Sequence, residues 1–561
     1  MIQFHKKLKK YLKMKNLKII IFCSTIFFIS AGFVSNYFEI TKNLEIFNNV
    51  LREINTYYVD EINPGSLMEK AIDEMLEELD PYTKYIPESE IEDFRFQTTG
   101  EYGGIGSLIT QMDEYIWIAE PYYGFPADKA GLKMGYKLLE IDGQSIKNYN
   151  TEDVSDLLKG TPGTEVVLLA ETTSREVKEF KIIREKIHIP SVPYSGLIDN
   201  SIGYVKLRSF TRNCAREVAD SIAVLKKKNN INGLILDLRF NPGGLLNESI
   251  KLANLFIPNN EVVVTTKGKI KEWEKVYKTK TDPLYPDIPI VVLINEASAS
   301  ASEIIAGTLQ DLDRGVVVGQ RSFGKGLVQQ SRKLNYNSQL KVTVAKYYTP
   351  SGRCIQSRNY SDRDNTGVVQ ELEDSLRKSF VTRNGRLVYD GGGVDPDIKI
   401  ENQKYPELIR NLRINKYFFK FGNSYIDRVL KPDSVSKFKI TDLLYNDFVS
   451  YIDSNNFSFQ VKSEDILSEL ERTLSEEMYL ENMQEQLSSI QEKILDSKAE
   501  DVFRYGEDIR KELALDFTTR LFYKSGRIEY SLAHDKYVKK ALELLNDTVS
   551  YQAILLPQTN N

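Results

Sequence analysis

Two stretches, Gly233–Leu238 and Ile288–Ile294, are almost unbroken apolar runs. Strands buried on both faces read this way, whereas half-exposed strands alternate. Each run is followed by a glycine- or serine-rich loop and then a helical pattern. Repeated over residues 187–400, that order predicts a layered α/β core. Residues 96–186 differ. Short β-rich runs at Ile116–Ala119, Lys137–Ile141 and Glu165–Leu169 are separated by turn signals, including Asp142-Gly143. Thr151–Leu158 reads as a helix with Thr151 as its N-cap, so a small mixed domain is expected. Residues 37–95 read as a helical bundle. There, Leu67, Ala71, Met75 and Leu79 recur at fourfold spacing before an Asp80-Pro81 stop. Residues 401–561 are charged, tyrosine-rich and helical, with a long amphipathic stretch from Ser463 to Lys498. The expected fold class is α/β (α+β), a layered sheet-and-helix core with a preceding β-rich domain and helical segments at both ends.

The N-terminus adds a different element. Seven lysines and no acid occupy residues 6–18, ahead of the apolar run Ile19–Val34. A basic flank before such a run marks a signal peptide or a membrane anchor. Extended to Phe38, the run approaches the roughly 20 residues a bilayer core requires. Residues 1–36 are therefore expected to form a basic cytoplasmic tail plus anchor or signal peptide, with the remainder exported. Over the whole chain, those lysines included, charge is nearly balanced, at -5 over 561 residues, which gives no global drive toward nucleic acid. Cys214 and Cys354 read as unpaired core residues. No cysteine or histidine cluster has metal-ligand spacing, so neither a metal nor another cofactor is expected.

The sharpest chemical feature is Ser298-Ala299-Ser300-Ala301-Ser302-Glu303, which follows a buried strand and opens a helix. A helix N-terminus presents free N–H groups and a dipole favourable to an oxyanion. Plain N-capping by Ser298 or Ser300 would use the same residues. A nucleophilic serine also needs a base. The chain has only three histidines: His5 precedes the apolar run, His188 lies between modules and His534 is in the C-terminal region. A lysine can serve if burial favours its neutral form. Lys325 lies between glycines in Ser322-Phe323-Gly324-Lys325-Gly326, where Phe323 could help exclude water from the amine. A second loop, Asn241-Pro242-Gly243-Gly244, follows the other buried strand and could present N–H groups to an oxyanion.

Together these segments carry a resemblance. Asn295–Gln330 resembles the catalytic core of the C-terminal processing (tail-specific) proteases, whose serine and lysine lie 25 positions apart with a glutamine four beyond. Ser300, Lys325 and Gln329 match that spacing. The resemblance implies that Ser300 is the nucleophile, Lys325 the general base and Gln329 its orienting partner. The N–H of Ala301, with that of Gly243 or Gly244, would form the oxyanion hole. Tyr347–Arg353 and Val394–Ile398 match later family segments. The family places a PDZ domain before the core, and Tyr102-Gly103-Gly104-Ile105-Gly106 resembles its carboxylate-binding loop. Tyr136 stands where the family usually has an aspartate, a departure expected to affect a turn rather than ligand capture. The resemblance implies a serine endopeptidase that recognises protein or peptide substrates by their C-termini. It would sit at a bacterial inner membrane with its catalytic part on the periplasmic side, or in the periplasm if the leader is cleaved. Two other readings stay open, a non-catalytic peptide-binding scaffold and a protease latent until a partner binds. In the latter, residues 401–561 would offer a docking surface for an adaptor or for a homodimer.

Overall fold

The computed structural model describes residues 38–199, 201–363, 367–402 and 405–557. The N-terminal tail and the anchor or signal-peptide run fall on residues 1–37, outside them. Among the described residues, no helix is long and apolar enough to cross a membrane. The chain divides into two compact units, residues 1–85 and 86–561.

In the first unit, residues 38–57 are helical and a second helix spans Pro64–Glu77. Asn63 caps the second helix, its Oδ1 accepting from the N–H groups of Gly65 and Ser66 at 3.0 and 3.2 Å, with Pro64 at the first helical position. The expected apolar face is not the covered one. Leu67, Met75 and Leu79 are exposed, whereas Leu76 is buried with Met68 and Ile72 half-buried. Fourfold spacing found a helix but chose the wrong stripe, because both stripes carry apolar residues.

The second unit is built on a sheet whose strand order, among the described residues, is Tyr194–Ile198, Ile202–Lys206, Gly233–Asp237, Ile290–Ile294, Val316–Gly319 and Ile398–Lys399. The first pair is antiparallel and the others are parallel. Alternation of side chains explains the unbroken apolar runs. Leu234, Leu236, Ile290, Val292 and Ile294 point to one core, under the helices Cys214–Lys228, Leu246–Ala253 and Ala301–Asp311. Ile235, Val291, Leu293, Val316 and Val318 point to a second core. That second face is covered by C-terminal residues, among them Ile528, Leu532, Val538, Leu544 and Tyr551. The Tyr551 hydroxyl accepts from the Ile290 N–H and donates to its carbonyl, both at 3.0 Å. The end of the C-terminal region is thus the third layer of the core.

Residues 107–183 form an antiparallel sheet in the order Ser107–Met112, Tyr115–Pro121, Lys137–Ile141, Glu165–Glu171, Val177–Ile183, with Thr151–Leu158 packed across it. Its helix is capped by Asn150, not Thr151: Asn150 Oδ1 accepts from the N–H groups of Glu152 and Asp153 at 2.8 and 2.9 Å. Residues 407–554 are mainly helical around an aromatic core of Phe418, Phe421, Phe448 and Phe517. This region also grips the small domain. Tyr523, at φ 60° and ψ −168°, breaks the helical run Gly506–Leu532 and donates its hydroxyl to Asp128 Oδ1 at 2.7 Å.

Candidate active site

The buried strand Ile290–Ile294 leads through a short loop to Ser300, whose backbone lies at φ 55° and ψ −113°. Non-glycine residues rarely occupy that region, at a cost of about 1–3 kcal/mol, and such strain gathers at functional sites. The helix Ala301–Asp311 begins at the next residue. A strand, a sharp turn and a helix together lift one hydroxyl away from the sheet toward the helix dipole.

The three serines of the run have different surroundings. Ser298 and Ser302 are fully buried. The Ser298 hydroxyl donates to the Leu238 carbonyl at 2.8 Å, and that of Ser302 to the Asn241 carbonyl at 2.9 Å. Both pin the loop after Gly233–Asp237 against the elbow. Only Ser300 of the three lines a cavity of about 1140 Å³, together with Ala301, Gly243, Gly244, Lys325, Gln329 and Tyr347. All the sequence-selected residues of the catalytic group therefore meet in one place. His188 and His534 are not among its walls, and neither is Phe323, which is exposed. The expected contribution of Phe323 to water exclusion is absent because its side chain points to solvent.

Glu303 organises this arrangement, a role sequence reading missed. Its carboxylate is completely buried. Oε1 accepts from Ser322 Oγ at 2.5 Å and from the Gly324 N–H at 2.7 Å. Oε2 accepts from the N–H groups of Ser300 at 2.7 Å and Lys325 at 2.9 Å. One carboxylate thus joins the backbone of the serine to that of the lysine. Burial pushes its pKa up to about 7, against the opposing pull of these four donors. The signal was present in the Ser-x-x-Glu spacing of a capping box. Tyr347, also buried, donates its hydroxyl to the Ser300 carbonyl at 3.0 Å. Gln329 follows a bulge in the strand Leu327–Lys333, and its amide nitrogen donates to Thr343 Oγ1 at 3.3 Å.

The glycine loop comes very close to the elbow. A Cβ on Gly243, at φ +96°, would lie 2.7 Å from the Ala299 carbonyl oxygen, 2.8 Å from the Ala301 nitrogen and 2.9 Å from Ser300 Cβ. Only glycine fits there. The Gly243 N–H already donates to Asn241 Oδ1 at 2.9 Å. Of the two glycine N–H groups, that of Gly244 is therefore the better placed to serve a ligand.

A second cavity, about 250 Å³, lies beside the edge strand Ser107–Met112 and the helix Thr151–Leu158. Tyr102, Ile105, Leu108, Ile109 and Leu158 give it an apolar lining. Of the sequence-selected loop, Tyr102 and Ile105 reach it. Gly103, Gly104 and Gly106 do not line it; they allow close backbone packing, a Cβ on Gly103 meeting the Gly160 carbonyl at 2.2 Å. Tyr136 lies away from the groove, its ring tilted against Phe180. Cys214 and Cys354 are both free thiols.

Residues 201–362 match the model of peptidase family S41, residues 117–172 that of a PDZ domain, and residues 408–545 that of the probable PDZ-protease C-terminal helical domain. A carboxy-terminal-processing protease of Bartonella bacilliformis is 35% identical over 351 residues, covering 60% of this chain and 80% of that protein. A probable CtpA-like serine protease of Staphylococcus aureus is 34% identical over 386 residues, 68% of this chain and 69% of that one. Among solved structures, the photosystem II D1 C-terminal processing protease is 27% identical and covers 64% of this chain and 87% of its own, with a TM-score of 0.34. The PDZ domain, the S41 core and these sequence relatives define a serine protease. The chain belongs to the C-terminal processing protease family.

Proposed function

We propose that the chain hydrolyses peptide bonds through an acyl-enzyme on Ser300, with Lys325 as general base and Gln329 orienting it. The observation that carries this reading is the convergence of an elbow serine, a lysine and a glutamine on one cavity. Lys325, neutral at the start, takes the Ser300 proton as the hydroxyl attacks the scissile carbonyl. The N–H groups of Ala301 and Gly244 stabilise the tetrahedral oxyanion. The lysine then passes its proton to the leaving amine and activates water for deacylation. The amide oxygen of Gln329 accepts from the lysine while its nitrogen bonds to Thr343.

The substrate enters by its C-terminus. A peptide adds as a further strand beside Ser107–Met112, with apolar side chains in the adjacent groove and its carboxylate on the loop Tyr102–Gly106. The lysine-rich start followed by the apolar run supports an exported protein whose catalytic part acts outside the cytoplasm, on other exported proteins. The test is turnover of an unfolded substrate with an apolar tail. Ser300→Ala and Lys325→Ala should each reduce it by several orders of magnitude. Near-normal cleavage by either variant would refute the assignment.

A further inference from the structure

We infer that Asp535, from the C-terminal helical region, is a positioning residue for the glycine loop that faces Ser300. The inference rests on Ser300 being the nucleophile.

The argument begins with Arg239, buried just after the strand Gly233–Asp237 and two residues before Asn241. Its guanidinium is held from two sides. Nε donates to Asp237 Oδ1 at 2.9 Å and Nη2 to Asp237 Oδ2 at 2.7 Å. From the far end of the chain, Asp535 Oδ2 lies 2.8 Å from the same Nη2. The Tyr537 ring packs 4.8 Å from the guanidinium carbon. Lys206 Nζ, 3.6 Å from Asp237 Oδ2, completes a group of two carboxylates and two cations. Burial would push Asp237 up, but Arg239 and Lys206 hold it well below the usual carboxylate range. Without Asp535, one carboxylate would face two cations, and Arg239 would lose the partner that fixes its outer side.

Asp535 divides two tasks between its oxygens. Oδ1 caps the helix Lys536–Asn546, accepting from the N–H groups of Tyr537 at 2.8 Å and Val538 at 3.3 Å. Oδ2 takes Arg239. Asparagine would keep the hydrogen bonds of the cap, so the aspartate charge serves Arg239 and, more weakly, the helix dipole.

Arg239 is rigidly linked to the reaction site. Phe240, at φ 60°, donates its N–H to Asn295 Oδ1 at 2.8 Å. Asn241 bonds through its side chain to the Leu207 carbonyl and the Gly243 N–H, each at 2.9 Å. Its own carbonyl accepts from the Ala299 N–H at 3.0 Å and from Ser302 Oγ at 2.9 Å. A shift of Arg239 therefore reaches Gly243, Gly244 and both flanks of Ser300. Catalysis is sensitive to such shifts, since a displacement of about 1 Å can cost on the order of 100-fold.

The experiment compares Asp535→Asn, which keeps the cap, with wild type and Ser300→Ala in the full chain. Turnover is normalised to sites titrated with a serine-reactive phosphonate, so incompletely folded protein does not count. Asp535→Ser, a second cap-preserving change, covers the case in which asparagine misfolds. We expect kcat per titrated site to fall on the order of 10- to 100-fold with KM within about twofold, and affinity for a peptide aldehyde, whose adduct carries the oxyanion, to fall in parallel. Unchanged kcat per site, or a change confined to KM, would overturn the inference. Wild-type-like turnover per mole of protein in Ser300→Ala, which offers no site to titrate, would instead overturn the nucleophile assignment on which it rests.

Discussion

Replacing Glu303 separates its hydrogen bonds from its charge. Four donors converge on its carboxylate at 2.5–2.9 Å, and three of them are backbone N–H groups. In Glu303→Gln, an NH2 at the Oε2 position would orphan the N–H groups of both Ser300 and Lys325. At the Oε1 position it would orphan the Gly324 N–H, while the Ser322 hydroxyl, which already accepts from the Val394 N–H, can turn its proton away and accept from the amide as well. The protein should adopt the second arrangement. One unsatisfied buried donor costs about 1–3 kcal/mol, so glutamine should destabilise by that amount and keep both tethers, to Ser300 and to Lys325. Glu303→Ala orphans all four donors, at about 4–12 kcal/mol by the same scale. It also releases the Ser300 elbow from its carboxylate anchor. Denaturant unfolding with parallel turnover assays should show Gln folded and active within about tenfold of wild type, and Ala severely impaired in both. Equal stability of Gln and Ala would refute the role given to this carboxylate. The charge adds a pH signature. The folded-state pKa of about 7 exceeds the unfolded value near 4.5. The protonated carboxyl therefore contributes stability that is complete below about pH 4.5 and is lost as pH rises through 7, roughly 3 kcal/mol in all. The gap between wild type and Gln should thus be wider at pH 5 than at pH 8, and a gap independent of pH would contradict the shift.

Three further outcomes follow from the same geometry. Gly243→Ala places a Cβ within 2.9 Å of the elbow backbone; kcat should fall by about two orders of magnitude or more, and a wild-type kcat would remove the loop from the site. Tyr551→Phe deletes both hydrogen bonds to Ile290. It should lower unfolding free energy by about 1–3 kcal/mol while kcat per titrated site stays unchanged; an unchanged unfolding midpoint would deny the C-terminal helices their place in the core. A substrate amidated at its C-terminus should show a KM raised several-fold, and an equal KM would exclude capture of the tail carboxylate.

Much of the core was legible because its strands have no solvent face. Unbroken apolar runs marked Gly233–Asp237 and Ile290–Ile294 and implied that both their faces are covered. They could not identify the cover. Tyr551 and Ile290 are 261 positions apart, and the amphipathic helices that supply the third layer read equally well as a docking surface. The candidate catalytic group was legible through its match to the family's spacing, 25 positions from Ser300 to Lys325 and four more to Gln329. Glu303 was legible only as a capping-box partner of Ser300; its tie to Lys325 was not, because that depends on Ser322–Lys325 folding over its side chain. Local rules failed where two residues could serve. Asn150 and Thr151 are both competent caps; Asn150 is the one with extended backbone, at φ −80° and ψ 171°, and Thr151 is already the first helical residue. The face of Pro64–Glu77 failed for the same reason, with apolar residues on more than one stripe.

The most direct test of the account is a mass-spectrometric map of the purified protein after reaction with a peptidyl phosphonate that traps nucleophilic serines. The account predicts a single adduct, on Ser300, that disappears in Ser300→Ala and forms far more slowly in Lys325→Ala. An adduct on Ser298 or Ser302, or undiminished labelling of Ser300→Ala, would contradict it.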